Sequence, residues 1–231
     1  MSLVIAVDGT DASGKKTQSD ILAMTLKEKF GLSVTEVSFP DYDDKSSTLV
    51  KMYLGGEFGT NANDTNAYAA SSFFAVDRYA SFVRHWKKEY ESEKSVIILN
   101  RYTTSNAVHQ LAKISDDKEK QAFLDWLYDY EFVKLGLPVP DLVYFLDMPP
   151  EYAEKLLNGR CDETGAQKDI HEADKEHLLC AYNAAQYTCK AWNWTHVLCA
   201  GNGVIRTRED IASEVLSICE KALIEKGILE G

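Results

Sequence analysis

Three observations on the sequence predict a three-layer α/β fold, a five-stranded parallel sheet with helices on both faces. Short apolar runs alternate along the chain with longer segments of helical period, the order that yields parallel strands joined by crossover helices. Most of those runs lack polar–apolar alternation, as strands buried on both faces do. No linker, repeat or low-complexity stretch interrupts them, so residues 1–231 read as a single domain.

The strand candidates are Leu3–Val7, Val34–Phe39, Ser95–Leu99, Leu142–Leu146 and the shorter His196–Ala200, which is bounded by Gly201. Between the first two, Leu22, Leu26 and Phe30 recur every four residues and Gly31 follows, so the helix there has one apolar face and a glycine stop. Further helical patterns cover Ala67–Tyr90, Ser115–Leu135, Pro150–Leu157, His171–Trp192 and Arg208–Lys226. In such a sheet, ligands bind beyond the carboxyl ends of the strands, and that is where chemically useful residues are to be sought.

Bulk properties narrow the partners. A net charge of −11 argues against nonspecific binding to nucleic acid or to acidic membranes, which needs a basic footprint. Any anion site must therefore be a local cluster of Lys and Arg. The five cysteines lack C-x-x-C spacing. No signal peptide and no apolar run near about 18 residues is present, so they read as reduced thiols of a cytoplasmic protein. The stretch His171-Glu172 to His177 does not have H-E-x-x-H zinc spacing and reads as a solvated helix.

The strongest motif follows the first strand. Gly9, Thr10, Asp11, Ala12, Ser13, Gly14, Lys15, Lys16 and Thr17 form a glycine-bounded loop that opens a helix. Gly9 and Gly14 allow backbone dihedrals that turn successive N–H groups inward around a phosphate. Lys15 supplies a mobile charge for the outer phosphates, and the helix aims its N-terminus at the same anion. This is a P-loop, and it makes the expected architecture the P-loop NTPase fold. The hydroxyl that normally follows the lysine and helps to hold Mg2+ comes one place late, because Lys16 precedes Thr17.

The other strands end on Phe39-Pro40-Asp41-Tyr42, Asn100-Arg101-Tyr102 and Asp147-Met148-Pro149-Pro150. Arg101 is a candidate fork for phosphate oxygens, with pairing to a surface carboxylate as the plainer reading. Phe74 and Arg78 lie one helical turn apart, so an aromatic plate and a guanidinium share a face. They can read a base, or Phe74 is core and Arg78 a partner of Asp77 or Asp41. If a helix begins near Thr103, Tyr102 and Asn106 share one face, and Ser105 and His109 another. Asn106 offers both donor and acceptor to a base edge. Residues 158–172 are polar and contain Arg160, Lys168 and two glycines, a composition that suits a lid over the phosphates or a solvated loop.

Taken in order, these residues resemble the thymidylate kinases, within the nucleoside-monophosphate kinases. The resemblance rests on the P-loop with Asp11 inside it, Phe39-Pro40-x-Tyr42, Phe74-Ala75-Val76-Asp77-Arg78, Arg101-Tyr102-x2-Ser105-Asn106, the Leu146-Asp147 strand end, and an arginine-containing lid ahead of Asp169-x2-Glu172. It implies phosphoryl transfer from ATP to dTMP with Mg2+. Asp11 would bind the sugar 3′-hydroxyl and, with Thr17, help organise the metal. Phe39, Tyr42, Arg101 and Ser105 would lie in the dTMP site, with Tyr42 and Arg101 on the acceptor phosphate. Phe74 would stack on thymine, Arg78 would bond its O4, Asn106 would read the base edge and His109 would sit near the sugar. The resemblance also implies a homodimer.

Two departures stand out. Lys16 replaces the usual small hydroxyl residue, and Asn100 replaces the Asp of the usual D-R-Y, which removes a carboxylate near the metal or the acceptor phosphate. The loop has no internal arginine, so the catalytic cation is expected from the lid, Arg160 first and Lys168 second. Two rivals remain: a deoxynucleoside kinase with Asp41 as general base, and a non-catalytic nucleotide sensor. The lack of N-K-x-D argues against a GTPase. For adenine contacts, the Gly201-Asn202-Gly203 turn and Arg206 are the candidates.

Overall fold

The computed structural model describes residues 2–10, 12–153, 156 and 175–230. Five parallel strands form one sheet: β1 Leu3–Gly9, β2 Ser33–Ser38, β3 Ser95–Asn100, β4 Leu142–Asp147 and β5 Thr195–Leu198. Their spatial order is β2-β3-β1-β4-β5. From central β1 the chain runs to the β2 edge, returns to β3 beside β1, and then crosses to β4 and β5 on the other side, so the connections change direction about the carboxyl end of β1. Ala200–Gly201 and Val204–Ile205 pair as a short antiparallel hairpin, β6–β7, outside the main sheet.

The helices are α1 Lys15–Phe30, α2 Thr48–Leu54, α3 Ala67–Ser81, α4 Lys87–Tyr90, α5 Thr103–His109, α6 Asp117–Tyr128, α7 Lys175–Ala191 and α8 Arg208–Glu225. A wide π turn, Phe82–Trp86, joins α3 to α4, and a second, Asp129–Lys134, extends α6. Residues 150–153 are helical, and the rest of the Pro150–Leu157 pattern lies largely outside the described residues. Helix α1 stops as expected. Gly31 adopts φ 63°, and Leu32 closes back on the Leu26 carbonyl at 3.3 Å, a glycine-terminated helix end.

Packing follows the strand periodicity. Leu3, Ile5 and Val7 face Leu22 and Leu26 of α1 and Val215 and Leu223 of α8, whereas Val4 and Ala6 face Phe39, Trp86 and Tyr102. A third cluster seats Phe145 against Val108, Phe123, Leu127 and Ala185. The uniform burial expected of the strands holds at the centre and fails at the edges. Every residue of β1 is buried, while β2 exposes Ser33, Glu36 and Ser38 and β5 exposes His196 and Leu198. An edge strand has one ladder partner and partial helix cover, so its polar residues Thr35 and Glu36 remain near solvent.

Among the described residues, no helix is long and apolar enough to cross a membrane. Cys180, Cys189, Cys199 and Cys219 are free thiols.

Candidate active site

The β1–α1 loop is built around one forced glycine. A Cβ on Gly9 would lie 2.5 Å from the Leu146 carbonyl and 2.6 Å from Ser13 Oγ, so only glycine lets the loop start against the end of β4. Gly14 takes φ 85° where α1 begins, and Ala12 is also left-handed at φ 59°. Lys15 is only 8 % exposed, and its ammonium donates to the carbonyls of Gly9 (2.9 Å) and Thr10 (2.7 Å). The lysine thus braces the loop it belongs to. Lys16 points outward and pairs with Asp20 at 2.8 Å. Thr17, in the first turn of the helix, lines the cleft.

Asp8 ends β1 with its side chain fully buried. Its carboxylate accepts from the Gly9 N–H at 2.8 Å and from the hydroxyls of Thr104 and Ser105. The first turn of α5 is thereby tied to the start of the phosphate loop. Ser105, expected in the dTMP site, directs its hydroxyl to Asp8 at 2.7 Å.

A cleft of about 640 Å3 opens beside the loop, lined by Ala12 to Gln18, Asn100, Arg101, Met148 and Leu156, and by Ile205 to Arg208 with Ile211. Arg101 follows β3 with a left-handed backbone, φ 62°, and its N–H bonds the Val7 carbonyl at 3.1 Å. That conformation turns the side chain toward the P-loop side, and the guanidinium meets His109 Nε2 at 3.2 Å. The predicted adenine candidates divide. Arg206 reaches the cleft, but its guanidinium is held by the Leu198 carbonyl and Glu214. Asn202 and Gly203 form the β6–β7 turn and are not among the lining residues, whereas Ile205, Arg208 and Ile211 are. Sequence reading missed these three, since a two-residue strand and the first turn of a C-terminal helix carry no motif.

The second constellation surrounds α3. Arg78 is 1 % exposed and forms a two-pronged pair with Glu131, Nε to Oε2 at 2.7 Å and Nη2 to Oε1 at 2.6 Å. Its Nη1 donates to the Tyr102 carbonyl at 3.3 Å. Glu131 is fully buried and also accepts from Thr103 Oγ1 (2.7 Å) and Asn106 Nδ2 (3.1 Å). The plainer of the two readings of Arg78 pairs it with Asp77 or Asp41, and Glu131 takes that place. Asp77 serves another purpose. It accepts from the Asp41 N–H at 3.0 Å and from Ser46 Oγ at 2.6 Å, fixing the turn after β2 to α3. Burial pushes the Asp77 carboxyl up, against the opposing pull of those hydrogen bonds and of Arg78.

Phe74 is half-buried and meets Tyr53 edge-on at 6.1 Å. The Tyr53 hydroxyl accepts from Lys113 at 2.9 Å, and burial lowers that ammonium to about 8. Phe39 is 3 % exposed and packs on Tyr102 at 5.9 Å, while Tyr42 is 52 % exposed. The Phe39–Pro40 peptide is cis. Asp41 lies with Asp44 and His85, their ligand atoms within 4.8 Å of one another, and Asp44 is paired to Arg84 at 2.8 Å. Asp11, Arg160 and Lys168, with the whole of the expected lid at 158–172, lie outside the described residues.

A parallel sheet wound about a phosphate loop, with Lys15 and Arg101 on one cleft, defines a P-loop protein built for nucleotide phosphates. Comparison with known proteins narrows the class. The thymidylate kinase family model matches residues 7–211. The thymidylate kinase of Mycobacterium tuberculosis is 31 % identical over 75 % of this chain and 79 % of its own. A probable thymidylate kinase of Thermococcus gammatolerans is 30 % identical over 78 % and 82 %. A solved thymidylate kinase structure from Candida albicans superimposes with TM-score 0.69 over 96 % of this chain and 92 % of that one. At 22 % identity it shows the shared fold. The chain belongs to the thymidylate kinase family.

Proposed function

We propose that Lys15 and Arg101, facing one cleft from the ends of β1 and β3, carry the phosphoryl transfer of a thymidylate kinase in this chain. The reaction moves the γ-phosphoryl group of ATP to dTMP and yields ADP and dTDP. The acceptor phosphate is an anion at neutral pH, so no general base is required, and catalysis reduces to positioning and charge neutralisation. The P-loop N–H groups and Lys15 hold the donor phosphates. Arg101, steadied by His109, holds the acceptor phosphate with Tyr42. Arg160 is the expected transition-state cation. Phe74, Arg78 and Asn106 read the base.

The oxygen donors near the loop fit Mg2+, which takes one or two protein oxygens and completes its shell with substrate phosphates and water. Thr17 lines the cleft, and Ser13 Oγ there is buried without a partner among the described residues. Thr17, with Asp11, would hold the ion, which would draw charge off the phosphates. We also propose a homodimer and a cytoplasmic location, on family resemblance and composition.

The test is ADP release with ATP and Mg2+ against dTMP, dUMP, dGMP and thymidine in parallel. Turnover with dTMP and none with thymidine is expected. Turnover with thymidine alone would overturn the mechanism and move attention to Asp41.

A further inference from the structure

The sequence shows Arg78 and Asn106 as residues able to face a base, but nothing in it says which of their atoms do so. The buried network answers that question. Asn106 has two amide hydrogens, and its nitrogen is bonded to two groups that only accept: the Ser71 carbonyl at 3.2 Å and Glu131 Oε1 at 3.1 Å. A flipped amide would set its oxygen against two other oxygens. The orientation is therefore dictated by chemistry, and Oδ1 is the atom left to meet a ligand. Arg78 spends its Nε–H and one Nη2–H on the same carboxylate. One Nη1–H goes to the Tyr102 carbonyl at 3.3 Å, which leaves one N–H on each terminal nitrogen, and both can only donate.

We propose that Glu131 is a positioning residue that sets the donor–acceptor polarity of the base site. This rests on the reading of Arg78 and Asn106 as base contacts. With Glu131 in place the site offers a donor beside an acceptor. A 4-oxopyrimidine presents the complement, an O4 acceptor beside an N3–H donor. A 4-aminopyrimidine presents the reverse at both positions, amino donor against guanidinium donor and N3 acceptor against amide oxygen. Two mismatched polar contacts in a water-excluded site are a strong rejection, since hydrogen-bonding sites can discriminate by about 10⁴-fold. Glu131 touches no substrate in this scheme and acts through the two side chains it orients.

The π turn makes the arrangement possible. Glu131 sits within Asp129–Lys134, where the wider backbone pitch departs from the 3.6-residue stripe of α6. Such widened turns recur at functional sites. Here the turn delivers a carboxylate into the interior, 53 residues from its arginine partner.

The experiment is Glu131→Gln in the full chain, with kcat/KM measured for dTMP, dUMP and dCMP at saturating ATP. Glutamine keeps the shape, but its amide donates to one neighbour, which frees Asn106 to turn. The dTMP-to-dCMP ratio is expected to fall about 30-fold while the dTMP-to-dUMP ratio stays within about twofold, because dUMP shares O4 and N3–H. A parallel loss with all three acceptors would overturn the proposal, since a merely structural role predicts that. Should Glu131→Gln not fold, Thr103→Val removes one of the four bonds to Glu131. About a threefold fall in the same ratio supports the proposal, and an unchanged ratio sinks it. Calorimetric binding of dTMP and dCMP separates this inference from the catalytic reading. A wild-type chain that binds dTMP selectively without turnover would count against catalysis only. A selectivity in binding that survives Glu131→Gln would count against Glu131.

Discussion

Replacing Arg78 by Met should destabilise the fold as well as the base site, and the ion pair says by how much. Arg78 and Glu131 are 1 % and 0 % exposed, joined at 2.6 and 2.7 Å. Methionine fills most of the space, so the main effect is to leave Glu131 buried without its counter-charge. Breaking one partner of a buried pair costs about 3–5 kcal/mol. For a chain of this length each kcal/mol moves the melting temperature by about 2–4 °C, so Tm should fall by about 6–20 °C. The double variant Arg78→Met with Glu131→Gln removes both charges and keeps an acceptor for Thr103 and Asn106. It should recover at least half of the lost Tm, because neutral replacements of buried pairs are often tolerated. Thermal unfolding followed by circular dichroism measures all four corners of this cycle. A single variant within about 2 °C of wild type, or a double variant less stable than the single, would refute the reasoning. Any KM for dTMP measured on Arg78 variants has to be taken well below the shifted Tm.

Other expectations follow from single observations. Gly9→Ala drives a Cβ to 2.5 Å from a ladder carbonyl, and overpacking of this kind costs about 1–3 kcal/mol. Urea denaturation should show that loss alongside a raised KM for ATP, and a variant with wild-type values in both would undo the account of the loop. Lys15→Ala and Arg101→Ala should each lower kcat by about 10³-fold or more with the circular dichroism spectrum retained; half the wild-type kcat in either would remove that residue from the mechanism. Burial penalises the Lys113 ammonium and lowers it from its ordinary 10.5 to about 8 in the folded chain. Between those values the unfolded chain binds the extra proton, so this group makes stability rise with pH from about 8 to 10.5. Lys113→Met should flatten that part of the stability–pH curve; an unchanged slope would assign it elsewhere.

The sequence disclosed the site's strand ends and little of what lies beneath them. Strands β1, β3 and β4 were legible because burial on both faces leaves continuous apolar runs. The phosphate loop was legible because its glycines and Lys15 are contiguous. Helix α2 was not, since Thr48–Leu54 is short and is preceded by no cap signal beyond Ser46 and Ser47. Neither π turn was foreseen, as an extra residue per turn leaves no period in the sequence. Glu131 escaped for the same reason, and because a pair spanning 53 positions exists only once α3 and α6 are folded together. Asp8 was within reach: a carboxylate closing a wholly apolar strand needs donors, and Thr103-Thr104-Ser105 is the nearest polar cluster after β3. Phe39 and Ser105 were named from resemblance to the family, and the structure shows what packing asks of them, a core contact and a bond to Asp8.

Arg101 combines two demands that pull apart. An L-residue at φ 62° sits about 1–2 kcal/mol above its preferred basins, whereas glycine would be at ease there. Glycine loses more freedom on folding, about 0.5–1 kcal/mol, so Arg101→Gly should leave Tm nearly unchanged while turnover collapses. Selection for a durable fold alone would let the guanidinium drift away. An arginine at so uncomfortable a backbone position suits the phosphate-holding role proposed for it, and a screen that sorts variants by thermal tolerance would pass over it.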